Sequence, residues 1–215
     1  MLHLRPSDYR VMPWKDGGGS TTEIAIEPAG ASLSDPFLWR VSSARVEASG
    51  PFSHFPGRAR LLTLLEGSGL ILDIEGQGRQ RLKHPGQVVA FPGDAAVSAT
   101  LVQGPCVDFG IISDPSRVRV TLEWLNLGPD ATAITMAPTT LLFAPWGPVR
   151  VDPLGVELDH HDCLWFGATA TKAKAPAMNP NSKQDAGAKL GTGAKLALRA
   201  VAGSTPLVLV SIWPV

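Results

Sequence analysis

Apolar and polar residues alternate along most of this 215-residue chain, and the period is that of strands. In residues 117–125, Val118, Val120, Leu122 and Trp124 take one side while Arg117, Arg119, Thr121 and Glu123 take the other. That period of two predicts a half-buried antiparallel strand. Apolar runs at residues 22–27, 38–46, 60–65, 70–75, 87–91, 97–102 and 107–112 predict further strands, as do residues 133–143, 156–166, 196–201 and 207–213. Turn signals such as Glu66-Gly67-Ser68-Gly69 and Pro92-Gly93-Asp94 separate them. Short strands at this spacing mean a sandwich or barrel. No stripe of helical period appears, and one turn of helix near residues 6–9 is the most the pattern allows.

Composition agrees with an all-β reading, since 22 Gly and 19 Pro suit many turns better than long helices. With 44% hydrophobic and 18% charged residues the chain has apolar surface enough for a sizeable core, which excludes a disordered protein. Basic and acidic residues number 19 each, so no global field grips nucleic acid or an anionic membrane surface. No apolar stretch approaches the roughly 18 residues of a membrane span. The opening MLHLRPSDYR lacks the apolar region and cleavage site of a signal peptide. A cytoplasmic location, with no nucleic-acid and no membrane partner, is the expectation. Cys106 and Cys163 lie in apolar runs without a metal-type pairing and read as buried thiols of a reducing compartment.

One segment differs in character. Residues 171–195 are rich in Ala, Gly, Lys, Asn and Pro with a single Leu, and read as a mobile insertion in the C-terminal strands. Five of the 19 basic residues and one of the 19 acidic ones lie there, so the remainder has a formal charge of −4. Within an acidic body, inward-facing cations become the unusual charges.

Several residues are candidates for chemistry. In Trp14-Lys15-Asp16-Gly17-Gly18-Gly19, three glycines let the backbone approach a ligand closely with its N–H groups turned into a concavity. A stacking ring (Trp14), a cation (Lys15) and backbone donors (Gly18 among them) suit a small planar carboxylate, whereas the bare pattern also suits a flexible turn entering a strand. On the strand at residues 38–46, Arg40 shares a face with Leu38, Ser42, Ala44 and Val46. An arginine among apolar and small residues needs a partner, either a protein carboxylate such as Glu23 or a substrate anion. Arg60, opening the next strand, has a similar claim. His54 could line the barrel mouth or cap a loop. Strand alternation would send His160 and His161 to opposite faces, so they could not share a metal site. No Gly-x-Ser-x-Gly or Cys–His arrangement supports nucleophilic catalysis.

Two local patterns resemble the cupin barrel: the strand-turn-strand LLTLLEGSGLILDIEG, and Gly86 followed by five residues and Pro92. Where the second cupin motif supplies a metal-binding histidine this chain has Val97, and of the histidine pair ahead of the turn only His54 is present. The resemblance therefore implies a barrel with no metal and no cofactor. The motifs Met12-Pro13-Trp14-Lys15-Asp16-Gly17-Gly18-Gly19-Ser20, Trp39-Arg40-Val41-Ser42, Gly50-Pro51-Phe52-Ser53, Phe91-Pro92-Gly93-Asp94, Asp108-Phe109 and His161-Asp162-Cys163-Leu164 resemble, in that order, the HutD/Ves family of bicupins, which is associated with bacterial histidine utilisation. Asp16 stands where the family usually has Asn, and an acid there could neutralise Lys15.

The resemblance implies an all-β bicupin with little helix: one cupin-like barrel over residues 1–113 and a second over 114–215 carrying the insertion. It implies a metal-free barrel that holds a small carboxylate of histidine breakdown, urocanate or formiminoglutamate, in a regulatory or sensing role rather than a catalytic one. The alternative is a metal-independent lyase, isomerase or deformylase acting on the same metabolites. Trp14 would stack on the ligand, Arg40 and Lys15 would pair with its carboxylate, and Glu23 would orient Arg40 or accept from a ligand nitrogen. Ser42, Gly18, His54, Arg60 and His161 complete the expected ligand set. Cupins often pair through their sheets, so a homodimer is implied as well.

Overall fold

The structure, a computed structural model, describes residues 1–152, 154–167 and 190–215. The fold is all-β. In chain order the strands are β1 (Leu2–Leu4), β2 (Arg10–Pro13), β3 (Gly19–Glu27), β4 (Trp39–Val46), β5 (Gly50–Pro51), β6 (Ala59–Glu66), β7 (Leu70–Ile74), β8 (Gly78–Leu82), β9 (Val88–Pro92), β10 (Val97–Leu101) and β11 (Cys106–Ser113). There follow β12 (Val118–Leu127), β13 (Thr132–Thr135), β14 (Thr139–Phe143), β15 (Val149–Asp152), β16 (Val156–Leu158), β17 (Cys163–Phe166), β18 (Lys195–Ala200) and β19 (Thr205–Pro214). The expected helical turn is the 3-10 turn Pro6–Asp8. Among the described residues no helix is long and apolar enough to cross a membrane.

The chain divides into two compact units. Tyr9–Val118 form one, with a six-stranded sheet of order β2-β3-β4-β11-β6-β9 and a four-stranded sheet of order β5-β10-β7-β8. Buried Val46, Leu62, Leu64, Leu70, Leu72, Ile74, Leu82 and Phe91 make its core, which draws on both sheets. The other comprises Met1–Asp8 and Arg119–Val215, with a five-stranded sheet of order β1-β17-β14-β19-β12 and a four-stranded sheet of order β13-β18-β15-β16.

The first eight residues therefore depart from the 1–113 and 114–215 division expected from the sequence. Leu2, His3 and Leu4 pair in antiparallel register with Trp165, Leu164 and Cys163, and His3 Nε2 lies 2.7 Å from Asp162 Oδ2. Strand pairing over a long sequence separation assigns the N-terminus to the C-terminal unit, which local pattern does not encode.

Two predicted strands are each split. Residues 133–143 become β13 and β14, which lie in different sheets. Pro138 cannot donate to a ladder, and the Ala137 N–H is taken instead by Thr140 Oγ1 at 3.0 Å. Residues 156–166 become β16 and β17, separated by a turn in which His161 has φ 65°. The strands β1, β2, β5, β8 and β15 escaped the apolar pattern because they are short or polar; β8, at the edge of its sheet, buries only Leu82. Of the expected insertion, residues 171–189 lie outside the described residues, while Leu190 and Ala194 pack against the core of their unit and Lys195 opens β18.

Candidate functional site

The six-stranded sheet builds a cavity of about 440 Å³ from one face of its central strands. In the antiparallel register, Ile112 of β11 stands between Arg40 of β4 and Arg60 of β6, Gly110 stands between Ser42 and Leu62, and Asp108 stands between Ala44 and Leu64. Because side chains two apart share a face, Arg40, Ser42 and Ala44 project together, as do Asp108, Gly110 and Ile112. All six line the cavity, with Arg60 and Leu62. Gly110 leaves the centre of this wall low: a Cβ there would meet Leu62 Cδ1 at 3.2 Å. Met12, Trp14, Thr21, Phe52 and Phe55 line the cavity as well.

Arg40 is 4% exposed. Its Nε donates to Glu23 Oε2 at 2.7 Å. A register irregularity between Glu23 and Ala25 sets Glu23 opposite Ser42, with Ile26 opposite Arg40. Of the alternatives raised for Arg40, the protein carboxylate is present, while Nη2 is buried with no hydrogen-bond partner. A buried donor without an acceptor is uncommon in a native fold and calls for one.

Arg60 packs its guanidinium against three rings, Phe91 at 4.9 Å, Phe52 at 5.2 Å and Phe55 at 5.4 Å from the ring centroids. Its Nη1 donates to the Ser53 carbonyl at 3.1 Å. Burial pushes its pKa down to about 10, opposed by the Asp108 charge and reinforced by that of Arg40. Such a site holds the cation in place yet leaves its charge poorly compensated. Asp108 is fully enclosed, and burial raises its carboxyl pKa to about 7, against the pull of Arg60 and a hydrogen bond from the Ala44 N–H.

The hairpin between β2 and β3 brings Trp14, Lys15 and Asp16 to the cavity. Trp14 Nε1 donates to Thr21 Oγ1 at 2.8 Å, which fixes the indole. Gly19 is required beside it, because a Cβ there would fall 2.2 Å from the Arg45 carbonyl and 3.1 Å from the indole. The Asp16 carboxylate accepts from the Gly18 N–H at 3.0 Å; among the described residues no ion pair joins it to Lys15. The anticipated neutralisation of Lys15 by a direct bridge is thus replaced by a turn-closing hydrogen bond.

Four expected site residues do not line the cavity. Glu23 meets it only through its bond to Arg40. Gly18 does not line the cavity: its N–H is spent on Asp16 and its carbonyl accepts from the N–H groups of Glu47 and Ala48. His54 is exposed, and its ring bonds the Asp94 carbonyl, while the Asp94 carboxylate accepts from the Gly57 N–H; the histidine fastens a loop. His161 belongs to the C-terminal unit. The alternation argument that separated it from His160 does not apply, since both occupy a turn and their rings stack at 3.9 Å. Conversely, Asp108, Phe52 and Phe55 line the cavity without having been named as ligand residues. The spacing Asp108, Gly110, Ile112 carries the signal that could have found Asp108, an acid and a glycine on one face of an otherwise apolar strand.

A family model described as HutD matches residues 6–183. The chain belongs to the HutD family. A role related to histidine utilisation follows from that membership. A Pseudomonas putida relative, described as an uncharacterized 21.2 kDa protein in the hutC 3' region, is 42% identical over 164 residues, covering 75% of this chain and 84% of its own. Protein Ves of Citrobacter koseri is 37% identical over 120 residues, covering 54% of this chain and 61% of its own. The structure of HutD from Pseudomonas fluorescens, obtained in a formate condition, is similar with a TM-score of 0.76 at 32% identity, covering 99% of this chain and 98% of that one. At 8% identity and a TM-score of 0.62, the oxalate decarboxylase of Lactobacillus farciminis shares the fold alone, which makes the architecture that of the cupins.

Proposed function

We propose that the cavity of the N-terminal unit binds a small carboxylate metabolite of histidine breakdown, urocanate or formiminoglutamate, and that the protein serves histidine utilisation as a sensor or regulator. The observation that carries this reading is the incomplete satisfaction of Arg40. Its Nε is held by Glu23, its Nη2 has no acceptor, and its side chain forms part of the wall of a 440 Å³ cavity. Arg60, held on three phenylalanine rings rather than in an ion pair, adds a second cation to the same wall. A carboxylate is the group that answers both, and guanidinium groups bind carboxylates through paired hydrogen bonds. Trp14, fixed by Thr21, and Phe52 offer aromatic surface for a planar ligand. The relatives support the metabolic setting, one by its position beside hutC and one by its name.

Thermal unfolding with urocanate, formiminoglutamate, histidine and formate tests the reading. A ligand that binds only the folded state at 100 times its Kd stabilises by about 2.7 kcal/mol, a readily measured rise in Tm. No stabilisation by any of the four at millimolar concentration would overturn it.

A second reading, a metal-independent enzyme acting on these metabolites, has one observation in its favour. Asp108 is a carboxyl group that exchanges its proton near neutrality inside the cavity, as a general acid or base must. Turnover of any of these compounds, lost in Asp108→Asn with the fold intact, would favour it over sensing.

A further inference from the structure

We propose that the cavity binds its carboxylate together with a proton, which Asp108 takes from solvent, so that occupancy reports acidity as well as ligand concentration. The proposal rests on the carboxylate reading above and assigns Asp108 a role in positioning the ligand.

Geometry carries the argument. Asp108 projects from β11 onto the same cavity wall as Arg40 and Arg60, which flank Ile112 four residues along the strand. Four residues of strand span about 13 Å, and across that span the Arg60 and Asp108 charges act on one another. Asp108 is 4% exposed, so water contributes little to stabilising its charge. A ligand carboxylate seated on the arginines draws their field onto itself and sets a second negative charge in the same enclosed space. Two carboxylates sharing such a site do not both stay ionised; one of them holds a proton. The arginines favour the ionised form of the ligand that touches them, and the proton falls to Asp108. As a neutral acid it becomes an O–H donor to the ligand instead of a repelling charge.

The other charged and titratable groups leave this assignment intact. From β6 there is Arg60, which opposes protonation of Asp108 while the cavity is empty. Arg40 of β4 has its Nε on Glu23 of β3. On β11 itself Cys106, whose thiol burial pushes up to about 12, stays neutral. From the β2–β3 hairpin come exposed Lys15 and Asp16. Asp108, already poised near neutrality by burial, has little distance to move.

Isothermal titration of the full-length protein with urocanate between pH 7 and 9 tests this, a window in which the ligand's imidazole keeps one charge state. The expected result is an affinity that weakens by up to tenfold per pH unit above neutrality, the limit for one coupled proton. Repeating the titration at pH 8 in buffers of different ionisation heat should show uptake of up to one proton per ligand bound. Asp108→Asn, a neutral isostere, should bind urocanate at pH 8 more tightly than the unsubstituted protein and with no pH dependence. Affinity that is flat across the window with no proton uptake in the unsubstituted protein would overturn the proposal while leaving carboxylate binding standing. So would an Asp108→Asn protein that keeps the original pH profile. Absence of binding at every pH, by urocanate and by formiminoglutamate titrated in its place, would overturn both readings together.

Discussion

The two units of this chain are built alike, each from two sheets, yet among the described residues one is filled by apolar side chains where the other also lines a cavity. In the C-terminal unit, Leu142, Leu164, Phe166, Leu198, Leu207 and Leu209 meet in a continuous apolar core drawn from both of its sheets. The N-terminal unit fills part of its interior in the same way, with Leu64, Leu70, Leu72 and Phe91, and then places Arg40, Ser42, Ala44, Asp108 and Gly110 along the facing positions of β4 and β11. Small residues there withhold volume and charged ones demand partners. A cavity with two arginines and an aspartate on its wall results from a handful of positions on a shared scaffold. Function on a recurrent fold is set by such substitutions rather than by topology.

The largest test of this contrast is Arg40→Met. Removing one partner of the buried pair leaves Glu23, with a side chain 12% exposed, without its cation, and should destabilise the protein by about 3–5 kcal/mol; urea unfolding would measure it. The double variant Arg40→Met/Glu23→Gln should recover much of that loss but show no Tm rise with urocanate. Recovery of ligand stabilisation in the double variant would break the link between Arg40 and the site. In the filled unit, Leu142→Ala should lower stability by about 2–5 kcal/mol through cavity formation, while the Tm increment produced by urocanate persists. Gly110→Ala adds one methyl to the hollow wall, close to Leu62 Cδ1. About 1 kcal/mol of stability and about tenfold in urocanate affinity are the expected losses, separable by unfolding and titration.

A last test concerns pH in the absence of ligand. Asp108 has a pKa near 7 in the folded protein against an ordinary value of 3.8, so between those values the native state binds more protons than the unfolded state. Its contribution therefore falls as pH rises from about 4 to about 7. The difference in Tm between the unsubstituted protein and Asp108→Asn should shift against the former across that range. A difference that stays constant would show that Asp108 does not titrate there.

Much of the site was legible before the fold was known. Period-two alternation placed Arg40 and Ser42 on one face of a strand and marked an inward arginine as needing a carboxylate, and Glu23 proved to supply it. The failures have separate causes. His161 was carried forward on its family motif and read as part of a strand, but it sits in a turn at positive φ, where the period of two has no meaning. Gly18 was expected to offer its N–H to a ligand, and a side chain two residues back took it. Asp108 was quoted within a family motif but not taken as a ligand residue, because the run from Cys106 to Ser113 is apolar enough to look like plain core.

The sequence by itself determined the all-β class, the family and the inward arginine, because these follow from local periodicity and motif order. Only the tertiary structure decided which unit holds the cavity, that Met1–Asp8 pair with β17 rather than with the strands that follow them, and that Arg40, Arg60 and Asp108 share one wall. Those outcomes depend on the register between strands far apart in the chain. Register is set by pairing of whole faces across a sheet, a property no single stretch of sequence contains.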